Sequence, residues 1–244
     1  MKMRSIDEVK INGESLKDIL YEHLKWINGE KGGMRANLSY TNLNHVDFNG
    51  CNLKYINLSH ANLKGANLDE CNLSFADLDH ADLSGATLYF SNLLRASLIN
   101  ANLSGADLIN TDLRNSNLRA SNLTNVKTDL NTLGYYPVCP EKGSFIGYKK
   151  AGVRYEYLVE LLILEDSKRS SATSFKCRCD KAKVLSIINI ETKEEVSTCQ
   201  SNYDSNFIYT VGEVVSVNNF DDIRWNECST GIHFFISKEC ALNY

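Results

Sequence analysis

Residues 36–125 read ANLSY TNLNH VDFNG CNLKY INLSH ANLKG ANLDE CNLSF ADLDH ADLSG ATLYF SNLLR ASLIN ANLSG ADLIN TDLRN SNLRA SNLTN. They form eighteen consecutive units of five residues without an insertion. The third position of each unit, its centre, is Leu in seventeen units and Phe48 in the other. Two residues earlier stands Ala nine times, otherwise Thr, Val, Cys, Ile or Ser. The residue directly before the centre is Asn eleven times and Asp five times.

A period of five suits neither standard element. On an α-helix each step of five turns the side chain by roughly 140°, so the leucines would spiral around every face. On a strand, steps of five alternate between faces. A strict repeat of this kind indicates a solenoid, in which each unit buries its apolar residue only by stacking on its neighbours.

The A(N/D)LXX units resemble the pentapeptide-repeat family. The resemblance implies a right-handed quadrilateral β-helix with four units per coil. It also implies that the centre and the small residue two before it point inward while the other three point outward. Eighteen units would then make about 4.5 coils, and at ~4.8 Å between strands the tube would be roughly 22 Å long. Its ends would expose stacked backbone and leucines and so need caps.

Residues 1–33 read as an N-terminal helical cap. Ser15–Ile27 places Leu16, Ile19, Leu20, Leu24 and Ile27 on one helical stripe, after an Asn12-Gly13 turn. Ser15 and Asp18 resemble a capping box, and Leu20 and Leu24 are expected to face the first coil. His23 reads as a packing residue, because no second ligand lies at helical spacing. Residues 126–142 contain both prolines, Pro137 and Pro140, and read as a linker.

From 143 to 244 the composition becomes strand-like. GSFIGYKK, VRYEYLVELLIL, AKVLSIINI and NFIYTVGEVVSV are rich in β-branched and aromatic residues, and GIHFFISKECALNY reads as a strand followed by a short helix from Ser237. A compact, mostly β domain with one or two helices is expected. GSFIGYKK, KRSSATSFKCRCDKAKVLSI, YTVGEVV and WNECSTGIHFF resemble an uncharacterised C-terminal domain found behind pentapeptide repeats in phage and giant-virus proteins. That resemblance implies a fold unit and a viral origin but no mechanism.

Charge excludes some functions. The net charge is −4, from 26 basic and 30 acidic residues, and no segment departs far from balance. There is thus no bulk electrostatic footprint for nucleic acid. Some pentapeptide-repeat proteins imitate the DNA duplex and block topoisomerases; eight acidic against six basic residues over the β-helix span 34–125 offer little for that. There is no apolar run long enough to span a membrane and no secretory signal at the start, so a cytoplasmic location, the host cytoplasm if viral, is expected. The eight cysteines are then reduced thiols. Cys51 and Cys71 stack inward as small fillers.

Sorting the outward residues by side singles out one patch. Tyr55, Phe75, Tyr89, Phe90, Leu94 and Arg95 gather on two adjoining sides, whereas the side with Gly65, Gly85 and Gly105 is bland. Such a patch marks a contact surface, either for another protein or for the chain's own C-terminal domain. His60 and His80 occupy equivalent corners one coil apart, but two ligands do not close a metal site. In the C-terminal domain, Tyr148, Lys149, Arg169, Lys176, Arg178, Asp204, Glu227 and His233 are polar candidates, with Tyr148 and His233 as the pocket residues. There is no GxSxG elbow and no CxxC pair, so neither acyl-transfer catalysis nor a zinc site is indicated. No cofactor or metal is expected. The sequence favours a non-catalytic interaction protein with a protein partner, with topoisomerase inhibition or an ADP-ribosyltransferase-like enzyme in the C-terminal domain as alternatives.

Overall fold

The computed structural model describes residues 2–244, which form two compact units, 2–136 and Pro137–Tyr244.

In the first unit the residue before each centre bridges in parallel to the residue twenty places on, from Asn37↔Asn57 to Asp107↔Lys127. Four units complete a coil, and the result is a four-sided β-helix. The centres from Leu38 to Leu113, Phe48 included, are wholly buried and stack in columns along the tube. Each corner is a four-residue turn. The N–H of the next small residue returns to the carbonyl of the centre, as in Cys51 to Phe48 (2.8 Å) and Ala61 to Leu58 (3.0 Å).

The last residue of each unit turns that corner in the left-handed region. Tyr40, Tyr55, Phe75, Phe90 and Arg95 have φ of 59°, 64°, 59°, 56° and 58°. The Asn or Asp before the centre serves the same turn. Its Oδ1 accepts the N–H two residues on, as Asn57 does from Ser59 (3.0 Å) and Asn117 from Arg119 (3.1 Å). Some of these side chains also form ladders between coils, such as Asn67 Nδ2 to Asp47 Oδ1 at 2.9 Å. Where Ser or Thr replaces Ala inside the tube, its hydroxyl is satisfied. Ser91 and Thr111 both donate to the Leu88 carbonyl, at 2.7 and 2.8 Å.

The N-terminal cap is more than a helix. It comprises β1 (Arg4–Ser5), β2 (Lys10–Ile11), β3 (Glu14–Ser15) and α1 (Leu16–Ile27). β1 pairs in parallel with β4 (Val46–Asp47) and so adds a partial rung above the first coil. Arg4 anchors it, its guanidinium donating to Asn44 Oδ1 at 3.0 Å. β2 and β3 form a hairpin. The buried face of α1 is centred on Leu16 and His23, whereas Leu24 is 40% exposed, so the face is rotated from the expected Leu20/Leu24 stripe. Ser15 is the N-cap, but its side chain makes no capping bond. His23 Nδ1 accepts the N–H of Ala36 at 3.1 Å, tying the helix to the first residue of the repeat. Burial lowers the His23 pKa, and its ring stacks on Trp26 at 5.8 Å.

The coil also runs past Asn125. Lys127 still bridges Asp107, but the next bridge is Asp112↔Leu133, an offset of one extra residue. The Thr132 hydroxyl donates to the Leu108 carbonyl at 2.9 Å, and Asp129 accepts the N–H of Asn110 at 3.1 Å. Residues 126–133 are therefore a distorted final stretch of solenoid rather than linker. Gly134 ends it: with φ of +77°, any Cβ there would lie 2.8 Å from the Arg114 backbone nitrogen.

The second unit carries β5 (Phe145–Ala151), β6 (Tyr157–Ile163), β7 (Arg169–Ser171), β8 (Lys176–Cys179), β9 (Lys181–Asn189), β10 (Thr198–Gln200), β11 (Ile208–Thr210), β12 (Val214–Ser216), β13 (Ile232–Phe235) and α2 (Lys238–Asn243). Seven of these strands form one antiparallel sheet in the order β12-β9-β6-β5-β13-β8-β7. β10 and β11 form a separate hairpin. The main core lies on one face and includes Val159, Leu161, Ile163, Cys177, Cys179, Val184 and Phe234. A smaller cluster of Leu158, Phe235 and Ala241 carries Tyr148 against it. Ser237 caps α2 by accepting the N–H of Cys240.

Candidate functional site

Two places on the molecule hold chemistry beyond folding. The first is on the solenoid. Residues twenty apart share a corner, so Tyr55, Phe75 and Arg95 form one column. Tyr55 and Phe75 stack at 4.9 Å, and the Arg95 guanidinium lies 5.7 Å from the Phe75 centroid. Lys54 sits over both rings, at 5.0 and 5.7 Å, and Trp26 of α1 meets the edge of Tyr55 at 6.1 Å. Tyr89 and Phe90 occupy the preceding corner of the same wall. They pack edge to face at 4.4 Å and are 41% and 56% exposed. Leu94, half-buried, lies on the wall between the two corners. The six residues thus border one wall from its two corners rather than crowding a single edge.

A second ladder runs up another corner. Tyr40 stacks on His60 at 4.5 Å and His60 on His80 at 4.6 Å, with rings within 6° of parallel. Parallel stacked imidazoles aim their lone pairs side by side, not at one point, which is the wrong arrangement for a shared tetrahedral ion. Among the described residues no three His, Cys, Asp or Glu side chains gather as metal ligands.

The second place is a cavity of about 490 Å³ in the C-terminal unit. Its origin lies in the sheet. β5 and β13 pair only at Tyr148↔Phe235. The close approach there depends on Gly147, where a Cβ would meet the Phe234 ring at 2.5 Å. Beyond that pair no register continues toward Ala151 and Ile232, and the Gly152 N–H bonds instead to the Gln200 carbonyl at the end of β10 (2.8 Å). Lys149, Lys176, Tyr209, His233 and Tyr244 line the space that opens.

Of the polar candidates, Lys149, Lys176, Asp204 and His233 come together here. Tyr148 does not: strand alternation turns it to the α2 face, and its neighbour Lys149 enters the cavity instead. Arg169 and Arg178 are structural. Arg178 donates to the carbonyls of Asp221, Ile223 and Thr230, and Arg169 to those of Gly143, Leu164 and Glu165. Glu227 accepts from the Ser174 hydroxyl. Cys139, Cys177, Cys179 and Cys199 are buried, while Cys228 is exposed.

Lys149 is almost wholly buried, and its Nζ donates to Tyr209 Oη at 2.6 Å. Burial pushes its pKa down to about 8. The His233 Nε2 lies 2.9 Å from the Ser229 carbonyl and must donate to it, which fixes the neutral tautomer. Burial, then the charge of Lys176 and further those of Lys149 and Arg178, push the His233 pKa down to about 4. A folded pKa below the ordinary value means that stability is fully present above about pH 6.5 and is lost as the pH falls through 4. Thermal denaturation between pH 7 and pH 4 should therefore show a loss that His233→Gln reduces; an equal loss in the variant would assign the acid sensitivity elsewhere.

Comparison with known proteins follows the same division. Pentapeptide repeats (8 copies) match residues 34–68, 56–93 and 91–127. The family of unknown function DUF5758 matches residues 135–241. No curated protein matches the chain. Among solved structures, alr5209, a pentapeptide repeat protein from Nostoc Pcc 7120, is 40% identical, with 35% of this chain and 71% of that one covered and a TM-score of 0.35. Rfr23 from the cyanobacterium Cyanothece 51142 is 36% identical, with 39% and 61% covered and a TM-score of 0.24. HetL, involved in heterocyst differentiation regulation in Nostoc sp. strain PCC 7120, is 28% identical, with 40% and 56% covered and a TM-score of 0.25. The matched segment thus spans somewhat over half the length of Rfr23 and HetL. With its repeat matched across residues 34–127 and its second unit matched across 135–241, the chain belongs to the pentapeptide-repeat proteins and carries a C-terminal domain of the DUF5758 family.

Proposed function

We propose that this is a non-catalytic, phage-encoded protein of the host cytoplasm, whose solenoid docks a host or viral protein through the wall bordered by Tyr55, Phe75, Arg95, Tyr89 and Phe90. Pentapeptide-repeat proteins typically mediate protein interactions. The phage assignment rests on the resemblance of the second unit to domains behind phage and giant-virus repeats. Among the described residues no helix is long and apolar enough to cross a membrane.

The observation that carries the reading is the pair Tyr89 and Phe90. Phe90 adopts φ of 56°, a conformation that costs a bulky residue roughly 1–2 kcal/mol and that glycine or asparagine adopts cheaply. Gly50 and Asn110 do so at the same corner. Tyr55 and Phe75 offset this cost by stacking on each other. Phe90 has Glu70 and Asn110 as its corner neighbours and stays 56% exposed. An aromatic ring kept at a strained, exposed corner next to a second exposed ring fits an anchor for a partner.

The test is capture by the immobilised protein from bacterial lysate. Phe75→Asp with Phe90→Asp should reduce recovery of a stoichiometric partner by about 30-fold or more, because an interface anchor is worth ~2 kcal/mol. Aspartate tolerates the left-handed corner better than phenylalanine, so the fold should persist, as circular dichroism would verify. Ser84→Asp with Ser104→Asp, on the bland wall, should leave capture unchanged. Equal capture by all three proteins would overturn the reading.

A further inference from the structure

The cavity of the second unit has an unusual charge inventory. Two amines line it, Lys149 and Lys176, and each is more than nine-tenths buried. Neither forms an ion pair among the described residues. Lys149 Nζ has the Tyr209 hydroxyl at 2.6 Å and lies 4.8 Å from that ring's centroid. Lys176 Nζ has Tyr244 Oη at 3.1 Å and Cys228 Sγ at 3.6 Å. The side-chain carboxylate on the lining, Asp204, is solvent-exposed and accepts the Asn206 N–H, while Glu227, whose charge also reaches Lys176, accepts from the Ser174 hydroxyl. His233 is neutral. Buried cations in proteins are ordinarily paired, and an ammonium group has three donors to satisfy. These two have donors to spare and an open space beside them.

Ser201, Asn219, Ser229 and Thr230 add polar groups to the lining, and the remainder is largely apolar or aromatic. Phe207, Val217 and Ile232 face the same space. At about 490 Å³ it falls within the range of small-molecule pockets. We propose that the cavity is a binding site for a small organic anion, a carboxylate or phosphate monoester with an apolar body. Lys149 and Lys176 hold the anionic head, Tyr209 and Tyr244 orient the two amines, and Phe207, Val217 and Ile232 receive the body. An anion supplies a counter-charge to two largely buried amines, where charge-assisted hydrogen bonds are stronger than in water. The site is independent of the solenoid wall, so either assignment stands or falls alone.

Binding at this site should depend on pH. The groups facing Lys149 are His233 on β13, neutral above about pH 4, and Cys179 on β8, Cys199 on β10 and Tyr209 on β11, whose pKa values burial raises. They stay neutral through the range in which Lys149 titrates, about pH 8. Lys176 titrates above that range. Affinity for an anion should therefore be flat from about pH 6.5 to about pH 8 and fall as the pH rises beyond it.

The experiment uses the full chain with benzoate, phenyl phosphate and inorganic phosphate as probes, and benzylamine and benzyl alcohol as charge and polarity controls. Calorimetry and thermal shift should show saturable binding of benzoate or phenyl phosphate, and none of the two controls. Benzoate against phenyl phosphate separates carboxylate from phosphate recognition. Lys149→Met and Lys176→Met should each weaken binding on the order of 10- to 100-fold, the worth of one hydrogen bond to a charged group. If either variant fails to fold, protection of Lys149 from amine acylation by bound probe in the parent protein gives the same information. The proposal is overturned by absence of saturable binding of all three anions up to about 10 mM, by equal binding of the controls, or by undiminished affinity in both lysine variants.

Discussion

Leu78→Ala is expected to lower the stability of the first unit by roughly 2–5 kcal/mol, measured by chemical denaturation. Leu78 is wholly buried, with Leu58 and Leu98 one coil away on either side. Its own N–H is held by the Ser97 carbonyl at 2.8 Å, and Asp77, before it, is bridged to both neighbouring coils. The ladder fixes the spacing of the coils, so the walls cannot close on the space that the missing atoms leave. The loss should sit near the upper end of the range for that reason. In a solenoid each rung is stabilised mainly by its neighbours, so one cavity in the middle weakens two interfaces. A loss below about 1 kcal/mol would mean that the tube relaxes around the cavity, against the rigidity that its backbone ladder implies.

The centres and the small residues made the tube legible in sequence because a period of five admits one economical packing. Other features were hidden for identifiable reasons. The left-handed corners lie in the fifth position, where Tyr, Phe, Arg and His together stand eight times and Gly four, so the usual glycine signal is weak. β1 is two residues long and finds its partner at Val46–Asp47, too short and too distant for any local pattern. The final coil was obscured by one extra residue before Leu133, which breaks the count while the hydrogen bonding continues. In the second unit β5, β6 and β9 announce themselves by β-branched and aromatic residues. β8, KCRC, is wholly buried yet polar in composition, and reads as nothing in particular. The cavity was half visible: His233 was a candidate, but the sequence could not reveal that β5 and β13 part after one residue pair. The difference between Tyr148 and Lys149 is one step of strand alternation, and the face each takes is set by α2.

Deleting residues 2–33 is expected to make the protein associate. The first coil has Leu38, Leu43, Phe48 and Leu53 at its centres, and all four are wholly buried although no coil precedes them. Their cover includes the buried Val9 and Leu16 and the His23 that receives the Ala36 N–H. Each such side chain contributes roughly 1.5–3 kcal/mol while shielded from water, so the deletion uncovers an apolar disc of considerable energy. It also removes β1 and leaves the edge at Val46–Asp47 with unpaired backbone, a template for a strand from another molecule. Both effects favour end-to-end contact between tubes. Light scattering after size exclusion should therefore show dimers or larger species, with a lower melting temperature at equal concentration. Leu16→Asp provides the same test without shortening the chain, since a carboxylate at a wholly buried site should lift the cap from the coil. The two variants should resemble each other in scattering. A deletion variant that associates no more than the parent and melts with it would show that the first coil closes by itself, and the capping role of β1 and α1 would have to be abandoned.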